Sequence, residues 1–294
     1  MHPDSRPVRL SEPVLHREAL RPGCFLLCQR ATQDRATVVA ARALSFSPDL
    51  TGGLTVTLHV VQFSGGIGSW AVAQRVAAEH GTDNLTLLFA DTLVEDLDLY
   101  RFLRDATVQL DVPLTVVRDG RTPFEVFRDH RFLGNSRIAP CSYWLKQKPC
   151  RDWLNAHTDP ADTIVYVGID HAEAHRVPGI ERGWAPWKTR FPLCDPPHLT
   201  KEDMLAQARA LGIEPPRLYA RGYRHNNCGG SCVRAGQRQW RHHLVTFPER
   251  FAAAEREEER LRAELGDVAI LKERRNGVSY PLPLRELRRR AQAA

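Results

Sequence analysis

Two short stretches of this 294-residue chain hold residues whose types and spacing could do chemistry. The first is Ser64-Gly65-Gly66-Ile67-Gly68-Ser69, between the apolar run Val56 to Phe63 and the helix-like Trp70 to His80. Glycines after a strand let backbone N–H groups approach an anion closely, and a following helix points its positive dipole end at the same spot. Ser64 and Ser69 add hydroxyl donors, so the string reads as a phosphate cradle; the bland alternative is an ordinary glycine turn. It has neither the lysine of a Walker loop nor the G-x-G-x-x-G spacing, which disfavours a P-loop NTPase or a dinucleotide-binding Rossmann domain. The second stretch is Gly222 to Cys232, in which Cys228 and Cys232 bracket two glycines. Two thiols at that spacing can reach one metal or cluster, act as a redox dithiol, or lie in an incidental turn.

These residues need elements to position them. Strand-like runs at Val56 to Phe63, Leu85 to Ala90, Leu114 to Val117 and Thr163 to Val167 alternate with helix-like segments. That alternation predicts a doubly wound α/β fold with a mainly parallel sheet covered on both faces. In such sheets ligands bind at the carboxyl ends of the strands, where Ser64 to Ser69, Asp91 and Gly168 all fall. Gly183 to Pro197 reads as a loop, Lys201 to Leu211 and Pro248 to Leu265 as helices, and Asn276-Gly277 as a hairpin turn. The boundaries expected are an N-terminal extension over 1–54, a nucleotide-binding α/β domain over 55–220, and a small, basic, Cys-containing, α-rich C-terminal region over 221–294.

At 43% hydrophobic residues the chain can bury a full core. Its apolar runs are far shorter than a membrane span and its first residues do not resemble a signal peptide, so the expected setting is the cytoplasm, with no membrane partner. The net charge of +6 favours anionic partners such as nucleotides or RNA, although most of the 41 basic residues are Arg, as a GC-rich genome alone would produce. Arg234, Arg238 and Arg241 would share one face of a helix, anchored by Trp240. Seven cysteines in a chain this long do not make a secreted disulfide scaffold. Cys24 and Cys28 read as small hydrophobes, Cys150 is open, and the remaining four are metal, cluster or redox candidates.

The glycine loop resembles the PP-loop, S-G-G-x-x-S, of the adenine nucleotide alpha hydrolase superfamily. Further along stand Asp91-Thr92 after the second strand, Pro140-Cys141-Ser142-Tyr143-Trp144-Leu145-Lys146, Gly168-Ile169-Asp170 with Glu173, His175 and Arg176, and Phe191-Pro192-Leu193. In that order they are similar to the successive signatures of the phosphoadenosine phosphosulfate (PAPS) reductase family, over roughly residues 56 to 245. The resemblance implies that Ser64, Gly65, Gly66, Ser69 and Gly168 hold the phosphates of an adenine nucleotide, ATP or PAPS, with Asp91 near its ribose and base; Asp91 also reads as a helix N-cap. Lys146 and Arg176 become phosphate or sulfate clamps. Cys228 and Cys232 become catalytic thiols or ligands of a 4Fe-4S cluster or zinc, with Cys141 and Cys194 completing the ligand set.

Departures from the pattern leave the reaction open. Gly68 stands where ATP-cleaving relatives carry Asp, which puts Mg-assisted pyrophosphate release in doubt, and Asp170 and His175 replace the usual Arg and Ser. One version reduces an adenylyl sulfate by thiol attack on sulfur, with a thiol reductant; the chain lacks the Glu-Cys-Gly-Leu-His tail and the Cys-Cys plus C-x-x-C signature of such reductases. The other uses ATP to activate an acceptor such as tRNA or a nucleobase for sulfur transfer. A non-catalytic nucleotide- or RNA-binding module with structural zinc is the third.

Overall fold

The computed structural model describes residues 56–293. The expected extension over 1–54, with Cys24 and Cys28, lies outside the described residues. The apolar runs form strands β1 (Leu58–Gln62), β2 (Leu85–Ala90), β3 (Leu114–Val117) and β4 (Thr163–Tyr166), joined by β5 (Lys188–Arg190). All pair in parallel, in the order β3-β2-β1-β4-β5. Helices α1 (Ile67–His80), α2 (Leu97–Leu110), α3 (Pro123–Asp129), α4 (Lys148–His157) and α5 (Val177–Trp184) lie between them. This is a doubly wound α/β fold, as the alternation of strands and helices predicts.

Alternation along the strands explains why both faces are covered. Val61, Leu85, Leu87, Phe89 and Tyr166 pack on one side with Trp70 of α1 and Leu99 and Phe102 of α2. Val60, Leu88 and Val165 face the other side, against Cys150, Leu154 and Trp187. Cys150 is therefore core, and burial pushes its thiol up to about 12. The chain leaves β3 at one edge and returns through α4 to β4 beside β1, so the carboxyl ends of β1 and β4 flank the crevice where the winding reverses. Strand β5 lies inside the segment read above as a loop; only Thr189 of its three residues is buried, which leaves no apolar pattern to see.

Helices α6 (Lys201–Ala210), α7 (Arg217–Ala220), α8 (Gln237–Thr246), α9 (Pro248–Leu265) and α10 (Leu284–Gln292) follow, with the hairpin β6 (Leu271–Arg275) and β7 (Val278–Leu282) before α10. The hairpin turns at Asn276 and Gly277, both at positive φ, as the dipeptide predicts. Trp240, Phe251, Leu261, Ile270 and Leu284 make a core that includes Phe127 and Leu133, so the C-terminal helices share side-chain packing with the end of α3. The expected arginine stripe is shorter than read: Arg234 precedes the α8 N-cap Gly236, which leaves Arg238 and Arg241 on the helix. Among the described residues no helix is long and apolar enough to cross a membrane.

Glu258 of α9 ties this region together. Its side chain is fully buried and accepts the N–H of Ile270 (2.8 Å) and of Leu284 (2.5 Å), joining α9 to the hairpin and to the start of α10. Burial pushes its carboxyl up to about 7, and the two N–H donors offset this only in part. A folded value above the unfolded 4.5 means that this group's stabilisation is fully present below pH 4.5 and is lost as pH rises through about 7. Urea unfolding at pH 5 and pH 8 should show wild type losing up to about 3 kcal/mol more across that interval than Glu258→Gln. Equal pH dependence in the two proteins would contradict this account.

Candidate functional site

The loop between β1 and α1 is shaped by its glycines. Gly65 has φ +74°, and a Cβ there would lie 2.9 Å from Leu99 Cγ. Gly168, two residues beyond β4, presses on the same loop: a Cβ there would stand 3.1 Å from the Ser69 nitrogen and Cα. Ser69 Oγ donates to the Gly66 carbonyl at 2.8 Å, and Ser64 Oγ lies 3.4 Å from Ser69 Oγ. Helix α1 begins at Ile67, inside the loop, so the N–H groups of its first turn have no partner within the helix. Ser64, Gly65, Gly66, Ser69 and Gly168 are thus brought together in the crevice between β1 and β4.

Residues from far along the chain complete this loop. Tyr219 of α7 accepts the Ile67 N–H at 3.0 Å, and Asn226 Nδ2 donates to the Gly65 carbonyl at 2.8 Å. Lys201 lies over the Tyr219 ring, 5.8 Å from its centroid, and donates to the Arg224 carbonyl. Burial, then Lys201, and also Arg224 and Arg176, lower the pKa of His225, against Glu173. These cations gather on one side of the crevice. Arg176 is exposed there and paired with Glu173. Tyr219, Asn226 and Lys201 escaped the sequence reading, because nothing in the spacing of a Tyr and an Asn more than 150 residues away points to the loop.

Asp91 is not a helix cap. One oxygen accepts from Leu93 N (3.0 Å) and Tyr100 OH (2.8 Å), the other from Arg118 Nε (3.0 Å). The cap of α2 is Asp96, five residues on, because Asp91 is held in the turn that follows β2. Asp96 is 1% exposed and accepts from Asp98 N, from Arg217 through Nε (2.8 Å) and Nη2 (3.0 Å), and from Arg250 Nη1 (2.6 Å). Burial would raise its pKa, but the hydrogen bonds from Arg217 and Arg250 outweigh this and hold it low.

Lys146 stands with the thiols. It belongs to a π-helical turn, Tyr143–Gln147, and its Nζ lies 3.5 Å from Glu95 Oε1. The Glu95 side chain, 2% exposed, also accepts from Thr92 Oγ1 (2.9 Å) and from the backbone N–H of Cys228. Burial pulls Lys146 down, but Glu95, Cys228 and Cys232 outweigh it and the pKa rises.

From Asn226 to Cys232 the chain forms a strap between the phosphate loop and this charge pair. Cys228, Gly229 and Gly230 all have positive φ (+50°, +55°, +90°), which folds the strap back on itself. A Cβ at Gly230 would lie 2.7 Å from the Tyr223 ring. Arg250 Nη1 holds the Gly229 carbonyl (3.0 Å), Gln239 Nε2 holds that of Gly230 (3.0 Å), and Ser231 Oγ lies 2.8 Å from His243 Nε2. Tyr223 OH meets the other His243 nitrogen at 2.6 Å, and burial lowers this histidine to about 4.

Cys228 and Cys232 stand together in the strap. The Cys228 thiol lowers Cys232 to about 6, helped by the Arg234 N–H and Lys146 against the cost of burial, while Cys228 rises. Both line a cavity of about 570 Å³ with Cys141, Glu95, Thr122, Phe124 and Arg128. Burial and the neighbouring Cys232 push Cys141 up to about 11.

The expected four-cysteine ligand set is not assembled. Cys194 follows the strand at the far edge of the sheet, and its thiol faces the carbonyls of Ile169 (3.7 Å) and Asp170 (3.5 Å), away from the cavity that the other three thiols line. Among the described residues no group of three or more His, Cys, Asp or Glu side chains is disposed to hold a metal ion. Among the described residues the four expected cysteines do not fit a four-ligand zinc or iron–sulfur site, because Cys194 is held on the Ile169 and Asp170 carbonyls.

Asp96→Ala would remove a helix cap and the acceptor of two guanidinium groups, and should lower stability by roughly 3 kcal/mol in urea unfolding at neutral pH. In wild type the same contribution is present above the ordinary carboxylate value of 3.8 and is lost as pH falls through the lower native value. An unchanged midpoint would remove Asp96 as the anchor of this region.

No protein-family model and no curated protein matches the chain. Among solved structures it is similar to a phosphoadenylyl-sulfate (PAPS) reductase from Candida auris, in a phosphate complex, at 12% identity, covering 70% of this chain and 94% of that one with a TM-score of 0.40. It is also similar to an NH3-dependent NAD synthetase from Campylobacter jejuni subsp. jejuni, in complex with nitrate, at 13% identity, covering 81% of this chain and 93% of that one with a TM-score of 0.38.

Proposed function

We propose that the chain is an adenine-nucleotide-dependent enzyme related to the PAPS reductases, and that it reduces an adenylyl sulfate with Cys232 as the attacking thiolate. The observation that carries this reading is the strap: Asn226 donates to the carbonyl of Gly65 in the phosphate loop, and two residues later Cys228 donates to Glu95 beside Lys146. Two residues span at most about 7 Å, so the anion cradle and the thiol pair are neighbours. The nucleotide's phosphates would take the N–H groups of Gly68 and Ser69 with the cations Lys201, Arg224 and Arg176 at the rim.

In the reaction, Cys232 Sγ forms a bond to the sulfate sulfur, the bond from that sulfur to the phosphate oxygen breaks, and the adenosine phosphate leaves with the electron pair. The Cys228 thiol, the Arg234 N–H and Lys146 all favour the thiolate of Cys232, the form that attacks. Lys146 offsets the negative charge that thiolate and sulfuryl group bring together. Turnover then needs a dithiol reductant. No step requires the Asp that Gly68 replaces.

Calorimetry on reduced protein should show binding of ATP, adenylyl sulfate or PAPS, weakened at least about tenfold by Gly66→Asp, which sets a carboxylate in the cradle. Equal affinity in the two proteins would sink the nucleotide site. Rapid mixing with adenylyl sulfate or PAPS should release the adenosine phosphate in the first turnover of wild type and not of Cys232→Ser. Pyrophosphate from ATP in place of that release would overturn the reductase reading in favour of ATP-dependent sulfur transfer. Iodoacetamide labelling of Cys232 should reach half its maximal rate near pH 6, and a midpoint near the ordinary 9.0 would contradict the thiolate assignment.

A further inference from the structure

We propose that Cys228 is the resolving thiol for Cys232: once Cys232 sulfur carries a displaceable group, Cys228 expels that group and the two close as a disulfide. The identity of the natural group rests on the reading above; the step itself rests on the strap.

Three consecutive left-handed residues bring the ends of the C-x-x-x-C segment together, and only two of them are glycine. Cys228 adopts that conformation although its Cβ disfavours it. It is held there by its N–H on Glu95 and by Arg250 on the next carbonyl. Strain kept at a residue that lines a cavity together with a second thiol is the pattern of a site and not of a passive turn. Cys228 and Cys232 line the same cavity, so the sulfur that would attack and the sulfur attacked share one space. Cys141, the third thiol of the cavity, sits on a different segment, outside the strap that carries the other two.

After attack on an adenylyl sulfate, Cys232 carries a sulfonate on sulfur. Cys228 releases its proton to solvent in the cavity and its thiolate forms a bond to Cys232 Sγ. The bond from Cys232 to the sulfonate sulfur breaks, and sulfite leaves with the electron pair. The two cysteines give up two electrons and the sulfate sulfur gains two, so one turnover needs no outside reductant. A dithiol of the medium reopens the disulfide for the next.

One equivalent of the aromatic disulfide dithiobis(nitrobenzoate) tests the step without the natural substrate. Anaerobic wild type should release two thionitrobenzoates per reagent, retain none, and yield a peptide with Cys228 joined to Cys232. Cys228→Ser and Cys228→Ala, checked for unchanged melting, should release one and keep the other on Cys232. Two released from these variants, an aryl group retained by wild type, or iron or zinc held by the pair as purified would each overturn the proposal. Adenylyl sulfate or PAPS separates the two readings. If the aromatic reagent closes the disulfide and neither nucleotide yields sulfite, the substrate assignment fails and the resolving role stands. If wild type accumulates a sulfonate on Cys232, the substrate stands and the resolving role fails.

Discussion

The carboxylate of Asp96 is the interaction on which the arrangement of this molecule depends. It is almost wholly buried, caps α2, and takes two guanidinium groups, one from the short helix α7 and one from α9. A buried charge without such partners is costly by several kcal/mol. The turn after β2, the segment that delivers Tyr219, and the helix that braces the thiol strap therefore settle together or not at all. Arg250 makes this explicit, because the guanidinium that meets Asp96 also holds the carbonyl of Gly229.

The strap that results has two attachments of different chemistry. At one end a neutral side-chain amide, Asn226, fixes the carbonyl of Gly65; at the other a backbone N–H meets the buried Glu95. Glu95 in turn is matched by Lys146, so this buried carboxylate is neutralised by a cation whose charge also acts on both sulfurs. The asymmetry between Cys228 and Cys232 follows from this setting: the Cys228 thiol, the Arg234 N–H and the nearby cation favour the charge on Cys232.

Positive charge is distributed differently from what the composition suggests. The arginines of α10 are matched one by one: Arg285 to Glu259, Arg288 to Glu255, Arg289 to Glu286, and Arg290 to Glu273 and Glu286. Arg128 and Arg260 share Glu257. Around the phosphate loop, by contrast, Lys201 is bonded to a carbonyl and crowded by Arg224, and both burial and that neighbour lower its pKa. Net charge read from a sequence gives no sign of which cations are already spent on partners.

Local rules were enough for the strands, the glycine loop and the hairpin. An apolar run flanked by turn formers becomes a buried parallel strand, a glycine that must adopt positive φ beside Leu99 marks the cradle, and Asn276-Gly277 makes the tight turn. The sequence by itself also determined that thiols four apart around two glycines would come within reach of each other. Tertiary structure decided what these pieces face. Cys194 reads as a ligand partner of the Cys228–Cys232 pair, yet the edge strand β5, too polar to recognise, carries Cys194 to the carbonyls at the end of β4 and leaves the pair without it. Asp91 reads as a cap, yet Asp96 caps α2, with Arg118 on the one and Arg217 and Arg250 on the other arriving from distant segments. Tyr219, Asn226 and Lys201 join the site only because α6, α7 and the strap pack back over α1. Hydrogen bonds and ion pairs depend on separation in space, and separation along the chain carries no record of it.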